Sequence, residues 1–183
     1  MRTIALFGGS FDPPHLGHEA VVKALLELHE IDEVLIMPTF LNPFKSSYFA
    51  PAKKILQWLK EIFSSKERVK ISSFEVKQNK KVPIITTVEY LLKTYEKVYL
   101  VIGADNLLSL KDWYKFDELR TKVTFIVASR DEIEIPEEFI KLNVNYDVSS
   151  TVLREEIDKT KLCKVNSEEI AEYYKKMKEK NEK

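Results

Sequence analysis

The chain has 183 residues, 44% hydrophobic and 11% aromatic, enough to bury one core without requiring a second. Its 29 basic and 29 acidic side chains cancel, so no global field favours nucleic acid or an anionic membrane as a partner. The one cysteine, Cys163, excludes an internal disulfide framework and a multi-cysteine zinc site and fits a reducing cytoplasm.

Taken in chain order, short runs rich in Val and Ile alternate with stretches of helical periodicity. The first strand, residues 4–7, runs at once into Gly8-Gly9-Ser10, too short an apolar run for a signal-peptide core or a spanning helix. A helix over 18–28 follows, with Ala20, Ala24, Leu25 and Leu28 on one stripe. Next come a strand over 34–37, a long loop over 38–51 holding Pro43 and Lys45, and a helix over 52–63. A strand over 69–71, a helix over 87–95 and strands over 98–102 and 123–128 continue the alternation. An irregular connection over 131–136 follows, and after Tyr146 the strand pattern ends. Helices are expected over 149–159 and 167–178, the last tapering into a frayed Lys/Glu/Asn tail. This order predicts an α/β fold: one doubly wound parallel sheet with helices on both faces, spanning 1–183 as a single domain, with 165–183 as C-terminal helix and tail.

Glycine is scarce and clustered. About 7% glycine would give roughly 13 in a chain of this size, yet there are 4. Gly8, Gly9 and Gly17 fall within ten residues, beside His15 and His18, and the fourth is Gly103. The segment Phe7-Gly8-Gly9-Ser10-Phe11-Asp12-Pro13-Pro14-His15-Leu16-Gly17-His18 leaves a strand and opens a helix. In open α/β sheets ligands bind there, beyond the carboxyl end of a strand. Backbone amides at Gly8 and Gly9, the helix N-terminus and two imidazoles three residues apart read as a phosphate cradle, with Gly17 leaving room for the ligand. A helix cap, or half of a metal site, would use the same histidine pair.

Ser149-Ser150-Thr151-Val152-Leu153-Arg154 opens a predicted helix without the Glu or Gln of a capping box. Arg154 near a helix start opposes the macrodipole unless an anion is bound, so the segment reads as a second phosphate anchor. Gly103-Ala104-Asp105 ends the strand over 98–102, placing a carboxylate where ribose hydroxyls bind. Trp113 can offer a flat face to a cationic ring, although both residues could equally be a cap and a core side chain.

Gly9-Ser10-Phe11-Asp12-Pro13-Pro14-His15-Leu16-Gly17-His18 resembles the signature of the HxGH nucleotidyltransferase superfamily, and Ser149-Ser150-Thr151-Val152-Leu153-Arg154 resembles its Ser-Ser-Thr-x-x-Arg element. The run from Ile102 through Asp105 and Trp113-Tyr114 to Leu119 is similar to the bacterial nicotinate-nucleotide adenylyltransferases. So are Pro83-Ile84-Ile85-Thr86-Thr87, Pro43-Phe44-Lys45 and Val127-Ala128-Ser129-Arg130, and together these span Thr3 to about Tyr174. The resemblance implies a Rossmann-like sheet and transfer of AMP from ATP to nicotinate mononucleotide, with pyrophosphate released and Mg2+ arriving with the ATP rather than on protein side chains. It implies His15, His18, Lys45 and Arg154 as catalytic residues. Gly8, Gly9, Ser10, Phe11, Gly103, Asp105, Ser150 and Thr151 would bind ATP, and Thr86, Thr87, Trp113 and Arg130 the mononucleotide. Phe44 stands where that family usually has His, the Asn expected before it is out of register, and the Lys/Glu-rich C-terminus departs from an apolar closing helix. Nicotinamide mononucleotide or phosphopantetheine as acceptor, or a non-catalytic nucleotide sensor on the same fold, are the alternatives. A balanced surface charge leaves homo-oligomerisation open.

Overall fold

The structure, a computed structural model, describes residues 2–40 and 50–183. Lys45 and Phe44 therefore lie outside the described residues. Six strands, β1 (Thr3–Gly9), β2 (Glu33–Pro38), β3 (Val69–Ile71), β4 (Lys97–Gly103), β5 (Val123–Ala128) and β6 (Ile140–Leu142), form one sheet in the order β3-β2-β1-β4-β5-β6. Every neighbouring pair is parallel, which is the doubly wound order expected from the alternation. The helices are α1 (Leu16–Leu26), α2 (Ala52–Phe63), α3 (Phe74–Lys77), α4 (Ile84–Leu91), α5 (Phe116–Lys122), α6 (Ser150–Glu155) and α7 (Ser167–Asn181). Among the described residues no helix is long and apolar enough to cross a membrane.

The pleat divides the strand side chains between two cores. Ile4, Leu6, Leu35, Met37, Leu100 and Val127 point to one face, where α4 and α5 contribute Ile85, Val88, Leu91 and Leu119. Ala5, Val34, Ile36, Val101 and Ile126 point to the other, against Val22 and Leu25 of α1, Trp58 and Leu59 of α2, and Ile170 and Tyr174 of α7. Covering both faces explains why every residue of β2 is buried and why the strands read as continuous apolar runs.

Several elements depart from the sequence expectation. β6, α3 and α5 were not expected; the two helices, of 4 and 7 residues, are too short to establish a period. α4 begins at Ile84 and ends at Leu91 rather than covering 87–95. The helix expected over 149–159 is only the six-residue α6; Glu156 leaves it in an extended conformation, and Asp158 caps a separate 3-10 turn at Lys159–Lys161. α7 forms where expected and runs on to Asn181, with Ile170, Ala171 and Tyr174 buried in its first half and its last turns exposed.

The two ends of the sheet are built differently. At the amino end Glu33 opens β2 and accepts from Arg2 Nη1 at 2.8 Å, Lys70 Nζ at 3.1 Å and Tyr95 Oη at 2.8 Å. One carboxylate thus fastens the start of β1, β3 and the segment after α4. At the carboxyl end β1 and β4 lie side by side, with Phe7 opposite Val101, while their following connections lead to opposite flanks of the sheet. The strand order reverses there, and a crevice opens.

Candidate active site

A cavity of about 1270 Å³ lies over the carboxyl ends of β1, β4 and β5. It exceeds the few hundred to 1,000 Å³ typical of a site for one small ligand. Gly8, Gly9, Ser10, Phe11, His15 and His18 come to its wall from the first strand-to-helix connection; Gly103, Asp105 and Trp113 come from the β4 side, Arg130 follows β5, and Ser150 and Thr151 open α6.

His15 and His18 cap α1 with each other. His15 is the N-cap residue and its Nδ1 accepts from Gly17 N at 3.0 Å, while His18 Nδ1 accepts from His15 N at 3.0 Å. This is a capping box with imidazoles in place of Ser/Thr and Glu. The rings stack, with centroids 3.7 Å apart and 23° between planes, and Phe11 closes the edge of His18 at 4.8 Å. Because each Nδ1 accepts, each ring carries its proton on Nε2. Burial, reinforced by the positive charge of Arg130, lowers the His15 pKa to about 3. Of the readings open to the pair, the cap is what the structure forms, and both rings lie on the cavity wall.

Two glycines on the cavity wall also make room for neighbouring side chains. A Cβ on Gly17 would meet His15 Cε1 at 2.8 Å and Nδ1 at 2.9 Å, so besides lining the cavity this glycine clears space for the imidazole. A Cβ on Gly103 would meet Asp105 Oδ1 at 2.5 Å, which shows the carboxylate folded back over the strand end. Gly8 would meet nothing closer than Met37 O at 3.7 Å, so its missing side chain belongs to the cavity wall. The left-handed residue of the turn is Phe11, at φ 49°, not a glycine. Its ring is 2% exposed and packs edge-on to Phe7, leaving only its backbone for a ligand.

The C-terminal anchor is tied to this turn. Ser150 Oγ donates to Pro13 O at 2.9 Å, and Arg154 Nη1 donates to Asp12 O at 2.6 Å. Ser149 caps α6 by accepting from Val152 N, the plain cap that the sequence also allowed. Arg154 falls in the last turn of this short helix, where a cation complements the dipole. The macrodipole conflict inferred from the sequence is therefore absent. Its guanidinium contacts Asp12 O and Thr151 Oγ1, and Arg154 is not among the residues on the wall of the large cavity.

At the far wall Trp113 is half-buried against the α4/α5 core and lines the cavity with Ile84 and Ser109. Thr86 and Thr87 are not brought to that wall. Thr86 is exposed on α4 and its N–H is taken by Pro83 O. Thr87 is buried and donates from Oγ1 to Glu75 Oε1 at 2.5 Å. The α4 residue that lines the cavity is Ile84, its first, whose amide lies ahead of the helical ladder. Glu75 was missed from the sequence. It lines the cavity, is 2% exposed, and burial raises its pKa to about 7 against the opposing Thr87 bond. An acidic residue between Phe74 and Val76 was a faint signal, because α3 was itself too short to read. Among the described residues no group of three or more His, Cys, Asp or Glu is gathered for a metal ion.

Two outcomes follow from these contacts. Gly17→Ala forces His15 out of its stack and should lower turnover by more than tenfold, while the unfolding free energy from urea titration falls by no more than a helix cap allows, about 0.5–2 kcal/mol. Glu75 binds its proton more tightly folded than unfolded, so its contribution to stability is complete below about pH 4.5 and is lost as pH rises through about 7. Glu75→Gln should therefore stabilise the protein at pH 8 and leave it nearly unchanged at pH 4, as read from urea unfolding at both values.

Residues 6–156 match the family model described as cytidylyltransferase-like. The chain is 57% identical to a probable nicotinate-nucleotide adenylyltransferase of Sulfurimonas denitrificans, over 96% of each chain. It is 48% identical to one of Campylobacter fetus, over 94% of this chain and 96% of that one. A Plasmodium falciparum nicotinic acid mononucleotide adenylyltransferase, solved as a complex with NaAD, shares the fold with a TM-score of 0.74 at 20% identity, over 96% of each chain. With its paired histidines capping the first helix at the switch point of a six-stranded parallel sheet, the chain belongs to the nicotinate-nucleotide adenylyltransferase family.

Proposed function

We propose that the enzyme transfers the adenylyl group of ATP to nicotinate mononucleotide, forming nicotinate adenine dinucleotide and pyrophosphate in NAD biosynthesis. The observation that carries this reading is the reciprocal cap, which fixes two imidazoles on the wall of a cavity that Asp105 and Trp113 also line. A phosphate oxygen of the mononucleotide attacks the α-phosphorus of ATP; that P–O bond forms as the bond to the bridging oxygen of pyrophosphate breaks. The attacking phosphate is already anionic, so the protein needs no covalent intermediate and no general base. It aligns the two substrates and stabilises charge as it moves toward pyrophosphate.

The backbone of Gly8 to Phe11 and the Nε2–H groups of His15 and His18 surround the α-phosphate in this reading. Ser150, Thr151 and Arg154 brace the triphosphate, with Lys45 approaching from the loop over 38–51. Gly103 and Asp105 take the adenosine ribose. Trp113 stacks on the pyridine ring, backbone amides at the start of α4 meet its carboxylate, and Arg130 takes the mononucleotide phosphate. In this reading a magnesium ion is held by the oxygens of ATP itself, and among the described residues no group of three or more His, Cys, Asp or Glu is gathered to hold one. Bound there, Mg2+ would neutralise part of the charge on the departing pyrophosphate. The same reading, with ATP and a phosphorylated pyridine nucleotide as substrates, makes the enzyme cytoplasmic.

Pyrophosphate release measured with ATP and, in turn, nicotinate mononucleotide, its amide and phosphopantetheine tests the assignment. Turnover with the first acceptor is expected to dominate; dominance of either other acceptor, or no product from any, overturns it. His18→Ala should slow turnover by about 10²–10³-fold, the usual effect of losing one preorganised donor. For Trp113→Ala the expectation is a KM for the mononucleotide raised about tenfold, in the range of one lost stacking contact, with the KM for ATP unchanged. An effect confined to ATP would reverse the placement of the two substrates.

A further inference from the structure

The mechanism makes no use of the buried carboxylate in the turn that carries the proposed phosphate donors. Asp12 lies between the left-handed Phe11 and the His15 cap, and is 2% exposed. A buried carboxylate is stable only when donors surround it. Asp12 Oδ1 accepts from Ala50 N at 3.2 Å and from the hydroxyl of Tyr174. Its carbonyl, on the other side of the same residue, accepts from Arg154 at 2.6 Å, and the next carbonyl accepts from Ser150. The turn that carries the proposed α-phosphate donors is thus held from behind by α7 through the side chain and by α6 through the backbone.

Tyr174 sits in the middle of α7, itself 2% exposed, with its ring tilted against Trp58 at 6.0 Å. Burial first, and then the neighbouring Asp12 carboxylate, push its phenol well above the usual range, so it stays a donor. A phenylalanine would fill the same space; what the tyrosine adds is one bond to Asp12. We propose that Tyr174 is a positioning residue for adenylyl transfer, holding Asp12 so that the phosphate-facing turn and Arg154 keep their relative placement. This rests on the adenylyl-transfer reading above.

The test compares Tyr174→Phe, Asp12→Ala, their double variant and Asp12→Asn with the intact chain, by steady-state kinetics, calorimetric ATP binding and melting temperature. Tyr174→Phe is expected to lower kcat at least tenfold and weaken ATP binding about fivefold, with the KM for the mononucleotide within twofold. Asp12→Asn keeps an acceptor oxygen and should recover most of the activity lost in Asp12→Ala, and the double variant should be no slower than Asp12→Ala. Tyr173→Phe, its half-buried neighbour, should leave kcat unchanged. The proposal is overturned if Tyr174→Phe changes only the melting temperature, or if the two single effects multiply in the double variant. Should Tyr174→Phe melt below the assay temperature, Asp12→Asn and Asp12→Ala probe the same bond from its other end, and equal kcat values in the two overturn it. ATP binding needs no acceptor, so an intact chain without product but with weakened ATP binding in Tyr174→Phe would sink the functional reading and leave the positioning role standing.

Discussion

The site depends on one pair of hydrogen bonds, those by which His15 and His18 cap the first helix with each other. Each bond takes up an amide at the start of α1 that would otherwise be unpaired, and in doing so fixes where the helix begins. The same bonds occupy both Nδ1 atoms and so fix the tautomer of each ring, with the proton on Nε2. They also bring the rings into a stack too close to Gly17 for any Cβ, so the glycine between them is a packing requirement of the cap. Helix start, tautomer and glycine are one constraint seen three ways.

That cap is useful only if the turn before it is held. The sheet provides the frame: at its amino end a single carboxylate, Glu33, fastens β1, β2 and β3, which leaves the carboxyl end to open as a cavity. There the chain turns through Phe11 in a left-handed conformation that costs about 1–3 kcal/mol for a residue other than glycine. The offset comes from packing, since the ring is buried against Phe7, and from polar ties to α6 and α7. Residues about 140 and 160 positions downstream thereby determine the shape of a loop near the N-terminus.

Most of this fold was legible in the sequence, and the reasons for the exceptions are physical. Long apolar runs such as 98–102 and 123–128 announce strands because both faces of the sheet are covered; α3 does not announce itself, because four residues contain no helical period. The histidine pair was visible as a pair, yet a capping box is recognised by Ser or Thr followed by Glu, and imidazoles doing the same work do not carry that signature. The bond from the Thr87 hydroxyl to Glu75, 12 residues away, has no local signal in the sequence. Asp12 and Tyr174 are 162 residues apart, and no periodicity or spacing relates them. Contacts of that kind are made by the sheet order, and they become readable only after the strands are in register.

The charge of the cavity is divided in a way that bears on its chemistry. Burial and Arg130 keep His15 neutral down to about pH 3, so its donor does not switch on or off across the physiological range. A protonated imidazole would bind phosphate more strongly, but it would do so in the ground state as well as during transfer, and binding both alike adds nothing to turnover. In the proposed mechanism a neutral donor held by a helix cap supplies direction, and the cations at Arg130 and Arg154 supply charge. Keeping direction and charge on separate groups would let the turn stay fixed while the charge on the phosphates shifts toward the leaving pyrophosphate, and alignment of that kind depends on the ties behind the turn as well as on the groups that face the cavity.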